Sequence, residues 1–179
     1  MIIPFVNLKK QSRLEKKTIL KAVKQTLKSS NFILGDSNIN LEKKISHFKK
    51  SKYCALLNSG TDALTLGLHV LGIKRGDEVI TCSNSFIASV ASIVHLGAKP
   101  IFVDVKDDQN INPNLIEAKI TKKTKAIMPV HLTGRVCDMS AVIKIARKYK
   151  LKVIEDAAQS FGSKFNGKMA GTFGDIGCI

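Results

Sequence analysis

The stretch Glu78-Val79-Ile80-Thr81-Cys82, followed by Ser85 to Leu96 with Gly97 and then by Pro100-Ile101-Phe102-Val103, reads as strand, helix and strand in close succession. Short apolar runs alternating with helical segments are the signature of β-α-β units, and hence of an α/β fold. Working outward, the pattern holds on both sides. Tyr53 to Leu57 reads as a strand, Asn58-Ser59-Gly60-Thr61-Asp62 as a tight turn, and Ala63 to Leu71 as a helix that Gly72 ends through its tolerance of left-handed backbone. On the other side Pro113 starts a short helix, Ala126 to Val130 is a strand, Asp138 caps a helix over Met139 to Tyr149, and Lys152 to Glu155 is the next strand. Asn166-Gly167 suits a two-residue hairpin turn, and Asp175 to Ile179 looks like a strand just beginning.

Before Tyr53 the pattern is different. Ser12 to Ser29 sets Ile19, Leu20, Val23 and Leu27 on one side of a helix, with Lys16, Lys17, Lys21, Lys24 and Lys28 mostly on the other. A second amphipathic helix is expected after Gly35 and the polar loop Asp36 to Asn40, with Leu41, Ile45 and Phe48 inward and His47 solvated among lysines. The resulting division is an N-terminal helical segment, residues 1–52, packing on an incomplete large domain, residues 53–179.

A chain of 179 residues with 44% hydrophobic content is large enough for a core of ordinary composition. No apolar run approaches the roughly 18 to 20 residues of a membrane span, and Met1-Ile2-Ile3-Pro4-Phe5 lacks the features of a signal peptide, so a cytoplasmic protein without membrane contact is expected. Cys54, Cys82, Cys137 and Cys178 are far apart and form no metal-spaced cluster, so reduced, mostly buried thiols are expected and no metal site. The net charge of +15 is concentrated in Met1 to Lys52, which holds 13 basic and 3 acidic residues. Such a block suits nucleic acid, but lysines alternating with apolar residues at helical spacing describe a solvated helix face, and no nucleic-acid partner is expected. Phosphorylated small molecules are favoured by the same charge. A non-catalytic protein binding partners through these helices is the rival reading.

Val153-Ile154-Glu155-Asp156-Ala157-Ala158-Gln159-Ser160 carries an apolar strand out into two carboxylates, two small residues and an amide. In open α/β sheets ligands sit outside the carboxyl ends of the strands, which makes Asp156 the first candidate for chemistry. An isolated Asp there more often serves as a cap or a surface ion pair. In Asn58 to Asp62 a small-residue turn offers free backbone N–H groups and a helix dipole to one point, which suits a phosphate. Neither the G-x-G-x-x-G fingerprint nor the P-loop is present, which opposes a Rossmann dehydrogenase. Phe86, in Ser83-Asn84-Ser85-Phe86-Ile87-Ala88, has the alternatives of core packing or of stacking on a flat ligand. A phosphate anchor, an aromatic plate and a strand-end carboxylate together suit a phosphorylated heterocycle with a basic ring nitrogen. Pyridoxal 5'-phosphate fits, because a carboxylate beside its pyridine nitrogen holds that nitrogen protonated. Asp156 suits that role, and Gln159, three residues on, suits a hydrogen bond to the ring hydroxyl.

Read in order, Ile3 to Leu8, Phe32 to Gly35, Asn58 to Leu64, Gly76 to Ile80, Gly97 to Pro100, Pro129 to Gly134 and Glu155 to Gln159 resemble the N-terminal half of a DegT/DnrJ/EryC1/StrS family aminotransferase. The resemblance implies the type I pyridoxal-phosphate transferase fold, a mostly parallel sheet between helices, usually homodimeric. It implies a nucleotide-linked keto sugar as substrate and an amino donor such as glutamate, in amino-sugar and surface-polysaccharide synthesis. By the same resemblance Gly60 and Thr61 hold the cofactor phosphate, Phe86 stacks on its ring, Asp156 pairs with the pyridine nitrogen and Gln159 meets the ring oxygen. His131 lines the pocket by analogy, or serves as a structural hydrogen-bonding group. The family's phosphate-binding Ser and Schiff-base Lys fall beyond Ile179, so the chain is expected to be a fragment, inactive alone and without the small domain. Lys164 and Lys168 match other positions. Family members with His in place of that Lys are sugar dehydratases, which leaves dehydration as the alternative reaction. Thr133 stands where the family often has an aromatic residue.

Overall fold

In the computed structural model, which describes residues 4–179, the parallel strands carry apolar residues on both faces, as a sheet covered on both sides requires. Met1, Ile2 and Ile3, on which the expected absence of a signal peptide and the start of the family motif Ile3 to Leu8 rest, lie outside the described residues. The chain divides into one unit ending at Lys44 and another running from Ile45 to Ile179.

In the first unit, α1 (Leu8–Ser29) begins four residues earlier than the apolar pattern indicates. The Asn7 side chain accepts a hydrogen bond from the Lys10 N–H at 2.9 Å, a cap that lets polar residues form the first turns. α2 (Asp36–Lys49), whose last residues from Ile45 belong to the second unit, starts inside the expected polar loop, because Asp36 sits favourably at the positive end of the helix dipole.

The second unit is built on a sheet of β1 (Glu78–Cys82), β2 (Lys99–Val103), β3 (Thr124–Met128), β4 (Lys152–Asp156) and β7 (Ile176–Cys178), in the order β2-β1-β3-β4-β7 and parallel throughout. Helices α3 (Gly60–Val70) and α4 (Ile87–His95) cover one face, burying Leu64, Leu68 and Ile93 against Val79, Ala126, Met128 and Ile154. Helix α5 (Met139–Tyr149) covers the other, burying Met139, Val142 and Ile145 against Ile80, Ile127 and Val153. Neighbours in sequence such as Val79 and Ile80 thus enter opposite cores, the period-two consequence of the pleat. A hairpin, β5 (Lys164–Phe165) and β6 (Lys168–Met169), turns at Asn166 and Gly167 with φ of 48° and 78°, the left-handed pair of a type I′ turn.

Two expected strands differ. Tyr53 to Leu57 belongs to neither sheet, although its burial alternates as in a strand. β-propensity reflects fit to a pleated surface, so it does not substitute for a backbone ladder. The strand expected at Ala126 to Val130 ends at Met128 because Pro129 has no N–H to give; Val130 then makes a separate bridge to Asp156.

Candidate active site

The strand order places β2 and β3 on opposite sides of β1, so successive crossovers leave a crevice at the carboxyl ends of the strands. β4 delivers Asp156 to that end, with only 7% of its surface exposed. Its Oδ2 accepts the Ser89 hydroxyl of α4 at 2.6 Å, and Oδ1 takes only a long contact of 3.3 Å from the Ala158 N–H. The Ser85 and Ser89 hydroxyls lie 2.7 Å apart. Sequence reasoning missed both serines. Ser89 lies in the first turn of α4 and Ser85 just before its N-cap, Phe86, so no helical periodicity pairs them.

Glu155, the preceding residue, points the opposite way and is fully enclosed. Its Oε1 accepts the Phe173 and Gly174 N–H groups at 2.6 and 2.7 Å. Its Oε2 accepts the Gly171 N–H at 2.8 Å and lies 2.9 Å from His131 Nε2. His131 Nδ1 accepts the Cys137 N–H at 3.2 Å, which fixes the proton on Nε2, facing Glu155. With no exposed surface and both ring nitrogens engaged, His131 is a structural group rather than part of a pocket wall.

α3 feeds through Gly72 to Asp77 into the start of β1, so it runs against the strands and its N-terminus lies at their carboxyl end. There the Ser59 hydroxyl is spent on capping the Asp62 N–H at 3.1 Å, while the Gly60 and Thr61 N–H groups belong to the helix's open first turn. A Cβ on Gly60 would meet nothing within 4 Å, so packing gives no reason for glycine there. Phe86 is 69% exposed at the N-cap position of α4, three residues before Ser89, which excludes the core-packing alternative. Gln159 is exposed, and its Oε1 accepts the Thr133 N–H at 2.7 Å, leaving the amide NH2 as its free donor end. Thr133 holds a φ of 53°, a left-handed conformation costly for a β-branched residue. Asp156 thereby joins β4 to the start of α4, Gln159 stands with Thr133, and α3 packs on α4 and β4.

The electrostatics around the carboxylates follow from burial. The Cys178 thiol, beside Asp156 and Glu155, is pushed up to about 12, first by burial and then by the two negative charges. Burial likewise raises Cys82 and takes Cys137 to about 12. Cys82, Cys137 and Cys178 are buried thiols, and Cys54 is half-buried. A second surprise is Lys49, buried among residues where solvated lysines were expected: its Nζ donates to the Ala170 carbonyl at 2.9 Å and lies 5.1 Å from the Phe161 ring. Desolvation lowers its affinity for a proton.

An N-terminal helix turn with an unexplained glycine, an exposed ring and a half-satisfied buried carboxylate fit a phosphorylated pyridine. The fold and these residues define a type I pyridoxal-phosphate transferase architecture. The chain belongs to the DegT/DnrJ/EryC1/StrS aminotransferase family, which matches residues 13–179. It is 45% identical over 97% of its length to a dTDP-3-amino-3,6-dideoxy-alpha-D-galactopyranose transaminase of Aneurinibacillus thermoaerophilus, covering 48% of that protein. It is 40% identical over 99% of its length to a UDP-2-acetamido-2-deoxy-3-oxo-D-glucuronate aminotransferase of Pseudomonas aeruginosa, covering 50% of it. Among solved structures, NtdA of Bacillus subtilis with bound cofactor PMP superimposes with a TM-score of 0.89 at 39% identity, over 94% of this chain and 39% of that one. The chain thus spans about half the length of the curated relatives it matches.

Proposed function

We propose that the chain is the cofactor-holding part of a pyridoxal-phosphate-dependent aminotransferase acting on a nucleotide-linked keto sugar, with an amino acid such as glutamate as donor. The observation that carries the proposal is Asp156, a buried carboxylate at a strand end with one oxygen tied to Ser89 and the other only weakly engaged. When bound, pyridoxal phosphate supplies an electron-accepting ring and a carbonyl that carries the amino group between substrates. Asp156 would keep the ring nitrogen of the bound cofactor protonated; a close opposite charge favours the ionised form by roughly 1 to 3 pKa units. The Gly60 and Thr61 N–H groups, with the α3 dipole, bind the phosphate, a contribution of about 0.3 to 2 kcal/mol from the dipole. Phe86 shields one face of the ring from water, and the Gln159 NH2 donates to the ring oxygen. His131 takes no part. The lysine that would attach the cofactor belongs beyond Ile179, and the exposed apolar residues Leu66, Val70, Ile87 and Val94 on α3 and α4 suit burial by a second copy in a homodimer.

The test uses pyridoxamine 5'-phosphate, which binds without covalent attachment, so the 179-residue chain can be titrated as it is. Saturable binding in the parent chain and its loss in Asp156→Asn are expected. Equal binding by both, or none by either, contradicts the proposal. Reading the gene past the codon for Ile179 separates the two family reactions: a serine followed closely by lysine is expected, and histidine in the lysine's place would redirect the reading to dehydration.

A further inference from the structure

Asp156 meets its ligand from a fixed angle because something else holds it. Ser89 is fully buried, and its hydroxyl reaches Asp156 Oδ2 at 2.6 Å, the length of a charge-assisted O–H···O⁻ bond. A carboxylate accepts and does not donate, so the single Ser89 proton is committed to Asp156. The 2.7 Å contact between the two serine hydroxyls must then run from Ser85 to Ser89. The result is a directed chain, Ser85 O–H to Ser89 O–H to Asp156, in which each bond polarises the next. It starts one residue before Phe86 and ends on the carboxylate, so the ring platform and the charge share one support at the entry to α4. The chain occupies one oxygen of Asp156 and leaves Oδ1 with the 3.3 Å contact alone. Ser85 does not serve as the cap of α4, whose N-cap position is Phe86 and has no side-chain cap bond, and Ile93, Ala88 and Leu96 join the helix to the core.

We infer that Ser89, supported by Ser85, is a positioning residue for the cofactor ring. Its hydroxyl orients Asp156 and draws off part of its negative charge, and so sets how firmly the ring nitrogen keeps its proton. This rests on the reading of Asp156 given above. Without the Ser89 donor the full charge faces the ring, and the nitrogen holds its proton to higher pH.

The experiment is a pH titration of the absorption spectrum of pyridoxamine 5'-phosphate bound to the parent chain and to Ser89→Ala, Ser89→Thr, Ser85→Ala and Asp156→Asn, alongside each variant's affinity and unfolding midpoint. In Ser89→Ala the ring-nitrogen transition is expected to move up by about one pH unit, of the order a single strong interaction with a carboxylate is worth. Ser85→Ala should move it in the same direction by less, and Ser89→Thr, which keeps the hydroxyl, should restore the parent value. A serine that merely fills space would change the unfolding midpoint and leave the spectral transition in place. If the parent binds and Asp156→Asn loses binding while Ser89→Ala binds with its transition unmoved, the inference about Ser89 is overturned and the reading of Asp156 stands. If the parent fails to bind, or Asp156→Asn binds and titrates like the parent, the reading of the site falls and the inference with it.

Discussion

Glu155 and Asp156 are adjacent carboxylates at the end of one strand, yet the surroundings of one differ in kind from those of the other. Glu155 is completely enclosed and satisfied by three backbone N–H groups and His131. Asp156 keeps one oxygen for Ser89 and leaves the other nearly idle. A carboxylate with every lone pair occupied by its own chain has nothing left to offer a ligand. Glu155 therefore latches the loop from Gly171 to Gly174 that leads into β7, and Asp156 is the group available for chemistry. The pleat makes this possible: successive residues face opposite sides, so the same two positions serve the fold and the site separately.

The largest effect that would break the comparison is on stability. Glu155→Ala strands the His131 ring and three N–H groups in a buried space, and a loss of about 3 to 5 kcal/mol is expected by urea denaturation. A loss under about 1 kcal/mol would show that the enclosure contributes little. Next comes a pair of glycines. A Cβ on Gly177 would overlap the Gly171 carbonyl, so Gly177→Ala should cost about 1 to 3 kcal/mol or more through overpacking. Gly60→Ala meets nothing and should change stability by no more than about 0.5 kcal/mol, while weakening pyridoxamine 5'-phosphate binding. Equal stability losses in both would remove the argument that Gly60 is kept open for a ligand.

Much of this architecture was legible in the sequence and part of the site was not. The ranges of β1 and α5 match their apolar patterns, because propensity, capping and burial agree there. Asn7 and Asp36 moved helix starts because capping and dipole effects precede the apolar pattern that periodicity reads. Tyr53 to Leu57 misled because alternation cannot report whether a neighbouring backbone is present. Asp156, Gly60 and Phe86 could be named from position relative to strands and turns. The Ser89 contact crosses 67 residues of sequence and Lys49 reaches Ala170 across 121, distances over which local pattern carries no information.

The thiols offer a smaller test. Cys137 and Cys178 are raised to about 12 from an ordinary 9.0, so the folded chain keeps protons that the unfolded chain sheds. Stability from these two groups is complete below about pH 9 and declines as pH rises from there toward 12. Alkylation with iodoacetamide at pH 8 should modify Cys54 well before Cys82, Cys137 or Cys178; rapid labelling of Cys178 would mean that the carboxylate end of the sheet is open.

The most direct test sets the two carboxylates against each other, measuring the urea midpoint and the pyridoxamine 5'-phosphate affinity of Glu155→Gln and Asp156→Asn. Asp156→Asn is expected to lose binding while unfolding within about 1 kcal/mol of the parent, because an amide still accepts from Ser89. Glu155→Gln is expected to unfold at clearly lower urea yet bind with near-parent affinity under conditions where it is folded. Binding lost with Glu155 and retained without the Asp156 charge would contradict the account.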